Sequence, residues 1–195
     1  NITIAPDTAA HLLIEVDGNH GDVLLRECET ILGVMEQFDC QEVLFAETSA
    51  EKDALWMMRR RVGEAVKSNS IYKEEDTVVP RHELPELLEK VKEVGARYGF
   101  KSVCYGHAGD GNLHVNIIKG GMPDSAWKND LPKAIREIFE FTVSLGGTLS
   151  GEHGIGLVQR PYMDIAFNKA QLEVMRGIKR VFDPQGIMNP GKVLP

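Results

Sequence analysis

The sequence predicts an α+β fold in which helices cover one face of an antiparallel sheet, ferredoxin-like with helical insertions. Short apolar runs typical of strands alternate with longer segments whose apolar residues recur at helical spacing. An Asp-Gly pair, Asp110-Gly111, joins two of the strand-like runs and predicts a β-hairpin, because glycine accepts the positive φ of a tight turn. The 195 residues suffice for one domain, residues 1–195, with a buried core.

The N-terminal part predicts a strand, a helix, a second strand and a second helix. Residues 11–17 are apolar and end at Gly18, and residues 42–46 form the second short strand. The helix between them spans residues 21–38, with one apolar stripe made of Leu24, Cys28, Ile31, Met35 and Phe38. The second helix spans residues 49–68, and its stripe contains Leu55, Met58, Val62 and Val66.

Arg59 lies on the apolar stripe of the second helix, four residues after Leu55 and three before Val62. An arginine on a buried surface needs an anionic partner, because an unpaired buried charge is costly. Its planar guanidinium suits a carboxylate, which could belong to a substrate or to the protein. The spacing equally allows the side chain to reach the edge of the helix and meet solvent. Arg60 and Arg61 are expected to face solvent or a neighbouring domain.

The remainder of the chain predicts three long helices around the hairpin. Residues 69–80 form an extended connection, with a charged run at 73–76 expected to be a solvated loop and a short β-prone run at 77–79. The helices span residues 84–98, 130–145 and 169–182, and glycine or Asp-Pro follows each of them. A helical region reaches Phe167, and the tail at 185–195 is rich in Gly and Pro, hence mobile unless it docks.

Two histidines flank the predicted hairpin turn. With strands at 102–106 and 113–118 and Asp110-Gly111 as the turn, His107 faces His114, about 4.5–5.5 Å apart at Cβ. The alternation places these histidines with Tyr105 and Asn116 on a polar face. The opposite face collects small and apolar residues: Cys104, Gly106, Ala108, Leu113, Val115 and Ile117.

A second glycine-rich stretch, residues 150–156, adds Glu152 and His153. Two imidazoles and one carboxylate can bind a divalent metal and leave a coordination position open, as in catalytic zinc sites. Manganese and iron also accept these nitrogen and oxygen ligands. The sequence therefore predicts a metal site at His107, His114 and Glu152. The alternative is that the histidines are hydrogen-bonded turn residues and the glycines only serve tight loops.

Composition excludes several classes of function. The net charge is −7 and no basic face with interleaved aromatic residues is present, which argues against nucleic acid as a partner. No run is long enough for a membrane span, and no signal peptide opens the chain. Three widely spaced cysteines without a CxxC pair argue against a disulfide framework or a cysteine-ligated iron–sulfur cluster. We therefore expect a reducing, cytoplasmic location.

Three motifs resemble the C-terminal half of FAD-linked 2-hydroxyacid oxidases and dehydrogenases. This vanillyl-alcohol-oxidase-like group includes the glycolate oxidase catalytic subunit, D-lactate dehydrogenase and D-2-hydroxyglutarate dehydrogenase. The motifs occur in the same order as in the family and span residues 106–114, 150–156 and 182–192: Gly-His-Ala-Gly-Asp-Gly-Asn-Leu-His, Ser-Gly-Glu-His-Gly-Ile-Gly and Phe-Asp-Pro-Gln-Gly-Ile-Met-Asn-Pro-Gly-Lys. The resemblance covers nearly the whole chain.

The resemblance implies roles for individual residues. His107, His114 and Glu152 match the metal ligands of the family, and His153 matches the base that removes the hydroxyl proton of the substrate. The predicted substrate contacts are Arg59, Lys73 and Asn112, and Asn189 in the tail is the predicted contact with the flavin. Gly63 stands where some members have a hydroxyl-bearing substrate contact, which argues against a 2-hydroxyglutarate-type substrate.

The resemblance also implies partners and a cofactor. Family members bind FAD mainly through an N-terminal domain, and no segment here resembles its glycine-rich pyrophosphate-binding stretches. We therefore expect this chain to be the substrate or cap domain alone, inactive in isolation, with the FAD-binding domain before Asn1. An iron–sulfur electron-transfer subunit or domain, peripheral membrane association through it, and a homodimer are compatible with the family.

The implied function is oxidation of a (D-)2-hydroxy acid such as D-lactate or glycolate to the 2-oxo acid, with hydride transfer to FAD. Two alternatives remain open at this point. A metal-dependent hydrolase would use the same His, His and Glu set and would be active without flavin. A non-catalytic cap or interaction module would bind metal and a partner domain without turnover.

Overall fold

A computed structural model of the chain describes residues 8–40 and 43–195, and for residue 69 the backbone only. It contains two compact units, a first that ends at Glu64 and a second that spans Ala65–Pro195. Within the described residues the longer elements are α1 (Gly21–Met35), α2 (Ser49–Asn69), β1 (Tyr72–Val78), α3 (Leu84–Tyr98), β2 (Lys101–His107), β3 (Asn112–Ile118), α4 (Asp124–Asn129), α5 (Leu131–Ser144), α6 (Met163–Ala166) and α7 (Lys169–Phe182).

The first unit contains helices but, in its described part, no strand. The predicted helices are confirmed as α1 and the first turns of α2, whose start is stabilised by a reciprocal capping box between Thr48 and Glu51. The strand predicted at residues 11–17 is wrong. The strand predicted at residues 42–46 is also wrong over residues 43–46, and residue 42 lies outside the described residues. A helix forms hydrogen bonds between its own backbone N–H and carbonyl groups, whereas a strand needs a neighbouring strand as its partner. No described segment of this unit supplies such a partner.

The second unit is built on a three-stranded antiparallel sheet with the order β1-β3-β2. Since β1 and β2 both run antiparallel to β3, they are parallel to each other, and α3 connects them. This is the split βαβ arrangement of ferredoxin-like folds, and it confirms the predicted α+β class. β1 is longer than the predicted run at 77–79 and includes the charged residues 73–76.

The core lies between one face of the sheet and helices α3 and α5. Val115 and Ile117 project from β3 into this core and are fully buried, together with Leu87, Val91, Val94, Ile135, Ile138 and Phe139 from the helices. α3 ends as predicted at Gly99, whose left-handed φ of 81° allows its N–H to reach the carbonyl of Gly95. The opposite face of the sheet is thereby left for the polar residues.

The C-terminal segments follow the predicted helices closely. α5 and α7 match the predicted spans, and Asn168 begins α7 with a complete capping box. The tail does dock: Asp183 accepts the N–H groups of Ile187 and Met188, and the N–H of Val193 donates to the carbonyl of Gly156 at 2.7 Å. Within the described ranges, no helix has both the length and the apolar character needed to cross a membrane.

Candidate metal centre

The hairpin has a different register from the predicted one. Residues Ala108–Asp110 form one turn of 3-10 helix, and His107 pairs with Asn112 while Tyr105 pairs with His114. The direct pairing of His107 with His114 is therefore wrong. A two-residue shift preserves the faces, so the predicted polar and apolar faces are correct.

The physical reason for the longer turn is the neighbouring end of β1. The N–H of Val79 donates to the carbonyl of Gly111 at 3.0 Å, which fixes the turn against that strand. A Cβ at Gly111 would lie 2.0 Å from the carbonyl oxygen of Val79, so only glycine permits this approach. The position also has a φ of 75°, which glycine adopts without strain.

The three predicted metal ligands come together. His114 Nε2 lies 3.0 Å from Glu152 Oε1, and His107 Nε2 lies 3.9 Å from the same oxygen. One ligand atom from each residue falls within 4.8 Å of the other two. His114 is buried, whereas His107 and Glu152 are about half exposed. This arrangement fits one divalent cation with an open position on its exposed side.

The environment of His114 favours the neutral imidazole that a metal requires. Burial, together with the nearby His153, lowers the pKa of His114 below its usual value, although Asp76, Glu152 and Glu74 act in the opposite direction. A neutral imidazole has a nitrogen lone pair available for a cation, whereas a protonated one does not.

His153 lies directly beside the three ligands. Its ring stacks on that of His114 with centroids 4.8 Å apart and an interplanar angle of 25°. Its Nε2 is 3.7 Å from Glu152 Oε1, and the side chain is half exposed. The residue predicted as the base is thus adjacent to the predicted metal ligands and accessible to a substrate.

Two acidic residues at this centre were missed by the sequence reasoning. Glu74 Oε1 lies 3.6 Å and Asp76 Oδ1 lies 3.9 Å from His114 Nδ1, which has no hydrogen-bond partner in the described part of the chain. The expectation of a solvated loop at 73–76 is wrong, because Glu75 and Asp76 are buried in β1. The signal that could have revealed them is the period of two, which places Glu74 and Asp76 on one face.

Asp76 is a buried hydrogen-bond acceptor. Burial alone raises the pKa of Asp76, but the donors from Glu152, His153, Asn112 and Ser150 outweigh it and hold the pKa below the usual value. The residue is therefore an ionised carboxylate at neutral pH.

Two asparagines occupy the same face with different surroundings. Asn112, a predicted substrate contact, donates from Nδ2 to Asp76 Oδ1 at 2.7 Å and to the carbonyl of Thr77 at 3.1 Å. Its role towards substrate stays a prediction. Asn116 is fully buried, and both polar atoms of its amide are without a partner among the described residues. A buried amide without partners is costly, so Asn116 is a candidate for contact with a bound group that the sequence reasoning did not propose.

Two other predicted residues of the second unit, Lys73 and Asn189, are not part of this cluster, and a third, Arg59, belongs to the first unit. Lys73 projects from the opposite face of β1, where its Nζ lies 3.2 Å from Glu75 Oε1. Arg59 belongs to the first unit, on the half-buried side of α2 with Leu55, whereas Arg60 and Arg61 are exposed as expected. Asn189 lies in the tail at a φ of 46°, and its Oδ1 accepts from Lys192 Nζ. The predicted roles of all three remain untested.

Comparison with known proteins decides the family. The family described as FAD linked oxidases, C-terminal domain, matches residues 2–193. The chain belongs to this family. The matched residues include His107, His114 and Glu152, so this candidate metal-binding cluster lies within the FAD-linked oxidase domain.

The curated relatives of this FAD-linked oxidase domain are dehydrogenases and oxidase subunits. The chain is 34% identical to the D-lactate dehydrogenase of Anaerostipes hadrus over 96% of its own length and 40% of that protein. It is 35% identical to glycolate oxidase subunit GlcD of Bacillus subtilis over 98% of the chain and 41% of that protein. It is 31% identical to the D-2-hydroxyglutarate dehydrogenase of Stutzerimonas stutzeri over 96% of the chain and 41% of that protein. The chain thus spans about two fifths of the length of these curated relatives.

Proposed function

We propose that this chain is the substrate- and metal-binding part of a flavin-dependent oxidoreductase that converts a D-2-hydroxy acid, such as D-lactate or glycolate, to the 2-oxo acid. The observation that carries the proposal is His153 stacked at 4.8 Å on His114, beside the His107, His114 and Glu152 cluster. A base adjacent to a metal with an open position is the arrangement that removal of a hydroxyl proton requires.

The ligand set supports zinc, manganese or iron as the metal, because all three accept imidazole and carboxylate ligands. A bound metal would supply Lewis acidity that makes the substrate hydroxyl more acidic, and FAD would supply the acceptor for the hydride. Among the protein groups, His107, His114 and Glu152 would hold the metal. His114, buried and favoured in the neutral form, would be the fixed ligand of the three.

His153 is the proposed proton acceptor. Its imidazole is half exposed and can therefore meet the hydroxyl of a substrate. Asn116 is buried on the same face, and its amide has no hydrogen-bond partner in the part of the chain that the structure describes, so it would contact the substrate. We retain Arg59, Lys73 and Asn112 as proposed substrate contacts on the basis of the family resemblance.

Substrate size and partners form the finer part of the proposal. Gly63 offers no hydroxyl one helical turn after Arg59, which favours D-lactate or glycolate over a 2-hydroxyglutarate-type acid. The tail with Asn189 would return to an N-terminal FAD-binding domain. An iron–sulfur electron-transfer partner, a homodimer and a cytoplasmic location, with membrane association only through that partner, remain part of this proposal.

The test is anaerobic flavin reduction in a full-length flavoprotein that contains this chain. D-lactate or glycolate should bleach the visible flavin absorbance, and L-lactate should do so far more slowly. His153→Gln should slow the reduction by about 100-fold or more while the metal content is kept, because general base catalysis contributes at least that factor. Absence of flavin reduction with every 2-hydroxy acid would contradict the proposal and favour a non-catalytic module. Hydrolysis of an ester without flavin would favour the metal-dependent hydrolase.

A further inference from the structure

The buried carboxylate of Asp76 binds the loop that carries Glu152 and His153. Its Oδ2 accepts the hydroxyl of Ser150 at 2.8 Å, the N–H of Glu152 at 2.9 Å and the N–H of His153 at 2.8 Å. Its Oδ1 accepts Asn112 Nδ2 at 2.7 Å. One side chain therefore connects β1, β3 and the loop.

These donors engage most of the acceptor capacity of Asp76. An ionised carboxylate offers about four lone-pair positions, and the structure places three donors on Oδ2 and one on Oδ1. Among the described residues, Asp76 belongs to neither group of side chains whose possible ligand atoms all lie within 4.8 Å of one another. The carboxylate acts on the centre through the backbone of the loop.

The shape of the loop is fitted to this anchor. Ser150 Oγ, while donating to Asp76, accepts the N–H of Gly154 at 2.8 Å and closes the loop on itself. A Cβ at Gly151 would lie 2.0 Å from Asn112 Nδ2 and 3.1 Å from Asp76 Oδ1. A side chain at position 151 would therefore push the loop off the Asp76–Asn112 pair.

We propose that Asp76 is a positioning residue that sets Glu152 and His153 together over His114, so that one carboxylate controls both retention of the metal and placement of the base. The proposal rests on the proposed function, because it assigns Glu152 to the metal and His153 to proton transfer. Since the same oxygen receives the N–H groups of both residues, their side chains start from fixed, adjacent backbone positions. Loss of the anchor would then loosen both residues at once.

The test measures Zn²⁺ affinity of the 195-residue chain by competition with a chromophoric chelator, alongside amide hydrogen exchange at residues 152 and 153. The variants are Asp76→Ala, which removes every acceptor, and Asp76→Asn, which keeps one neutral acceptor oxygen of the same shape. Asp183→Asn is the matched control, because Asp183 also accepts two backbone N–H groups, those of Ile187 and Met188. Its other side-chain partner is Lys179 of α7, so none of these contacts involves the loop at 150–156.

We expect Zn²⁺ affinity to fall about 100-fold in Asp76→Ala and about 10-fold in Asp76→Asn, the range for loss of a group that orients a ligand. Exchange at residues 152 and 153 should accelerate in the same order. Asp183→Asn should lose stability without losing affinity. A purely structural role would not give this graded rescue at a temperature where all variants are folded.

Two results would overturn the positioning role: unchanged exchange at residues 152 and 153 in Asp76→Ala, or unchanged Zn²⁺ affinity despite accelerated exchange. A failure of the proposed function gives a different result. In that case the unaltered chain, with both amides protected, would bind no Zn²⁺, and the exchange data alone would decide whether Asp76 positions the loop.

Discussion

The two faces of the sheet in the second unit differ in what they contain. On one face, Val115 and Ile117 pack against α3 and α5 in a fully buried apolar core. On the other, His114 and Asn116 from the same strand are also buried but lie among carboxylates and imidazoles. A single strand thus supplies alternate residues to a core and to a candidate reaction centre.

Adjacent residues of β3 therefore serve different purposes. Those that face the core stabilise the fold, and those between them face the candidate site. The apolar face stabilises the fold by burial, whereas the polar face contains buried atoms that have no hydrogen-bond partner among the described residues, including His114 Nδ1 and both ends of the Asn116 amide. Unpartnered buried groups are costly for folding and are expected where a ligand binds. Substitutions on the two faces should therefore affect stability and metal binding separately, and the following variants test this expectation.

The largest effect on stability is expected from the apolar face. Leu87→Ala removes a fully buried side chain of α3 and should lower the free energy of unfolding by about 2–5 kcal/mol. Urea denaturation checks this, with Leu25→Ala as the matched control, since Leu25 is exposed. The metal affinity of the folded variant should not change. A large loss of affinity in Leu87→Ala would show that the two faces are coupled.

Glu75 is a buried carboxyl group on the apolar face of the sheet and should give a pH-dependent effect on stability. Burial raises the pKa of Glu75 from 4.5 to about 7, with a smaller raising effect from Glu74, while Lys73 acts in the opposite direction. Tyr162, whose own pKa is raised to about 12, also lies within electrostatic range of Glu75. The folded protein therefore holds a proton that the unfolded chain releases. The contribution of protonated Glu75 to the free energy of unfolding is fully present below pH 4.5 and is lost as the pH rises through about 7.

Glu75→Gln should remove this loss, because glutamine stays neutral. At pH 8 we expect the variant to be more stable than the original chain, by up to about 3 kcal/mol, and at pH 4 the two should be similar. Unfolding free energies at both pH values check this, with Glu140→Gln on the exposed side of α5 as control. A variant that is less stable at pH 8 would mean that the ion pair with Lys73 outweighs the burial of the charge.

The smallest effect on stability is expected from the polar face. His107 is half exposed, so His107→Ala should change the unfolding free energy of the metal-free chain by no more than about 0.5 kcal/mol. The same variant should nevertheless weaken metal binding by about 100-fold or more, as expected when one of three protein ligands is removed. Calorimetric titration with Zn²⁺ measures this, and His82→Ala, an exposed histidine elsewhere, should bind normally. Equal affinities in the two variants would remove His107 from the ligand set.

Local patterns predicted the helices and the contents of each sheet face, but not the partners of the strands. The spacing of apolar residues predicted α7, and the glycine after residue 98 predicted the end of α3. Both signals come from residues that are close in sequence, and both predictions are correct. The strands predicted at 11–17 and 42–46 are not found among the described residues, because apolar alternation does not show whether a neighbouring strand is present. In the hairpin, the face on which each residue lies was predicted correctly, but the cross-strand partners were wrong. The reason is that contact with Val79 selects the longer turn.

The same limit explains the candidate site. His107, His114, Glu152 and His153 belong to dense motifs and were predicted together, and the structure brings them together. Asp76 and Glu74 belong to a charged run whose composition is typical of a solvated loop. Their roles depend on pairing with β3 and on a loop some 75 residues further along the chain, which no local pattern contains.

The most direct test of the account is the metal content of the purified chain by elemental analysis, measured beside Glu152→Gln and the control Glu140→Gln. The account predicts about one zinc, manganese or iron per chain, retained in Glu140→Gln and lost in Glu152→Gln, because Glu152 is the ligand that both histidines approach. A chain that takes up none of the three metals, or one that keeps its metal in Glu152→Gln, would contradict the proposed centre.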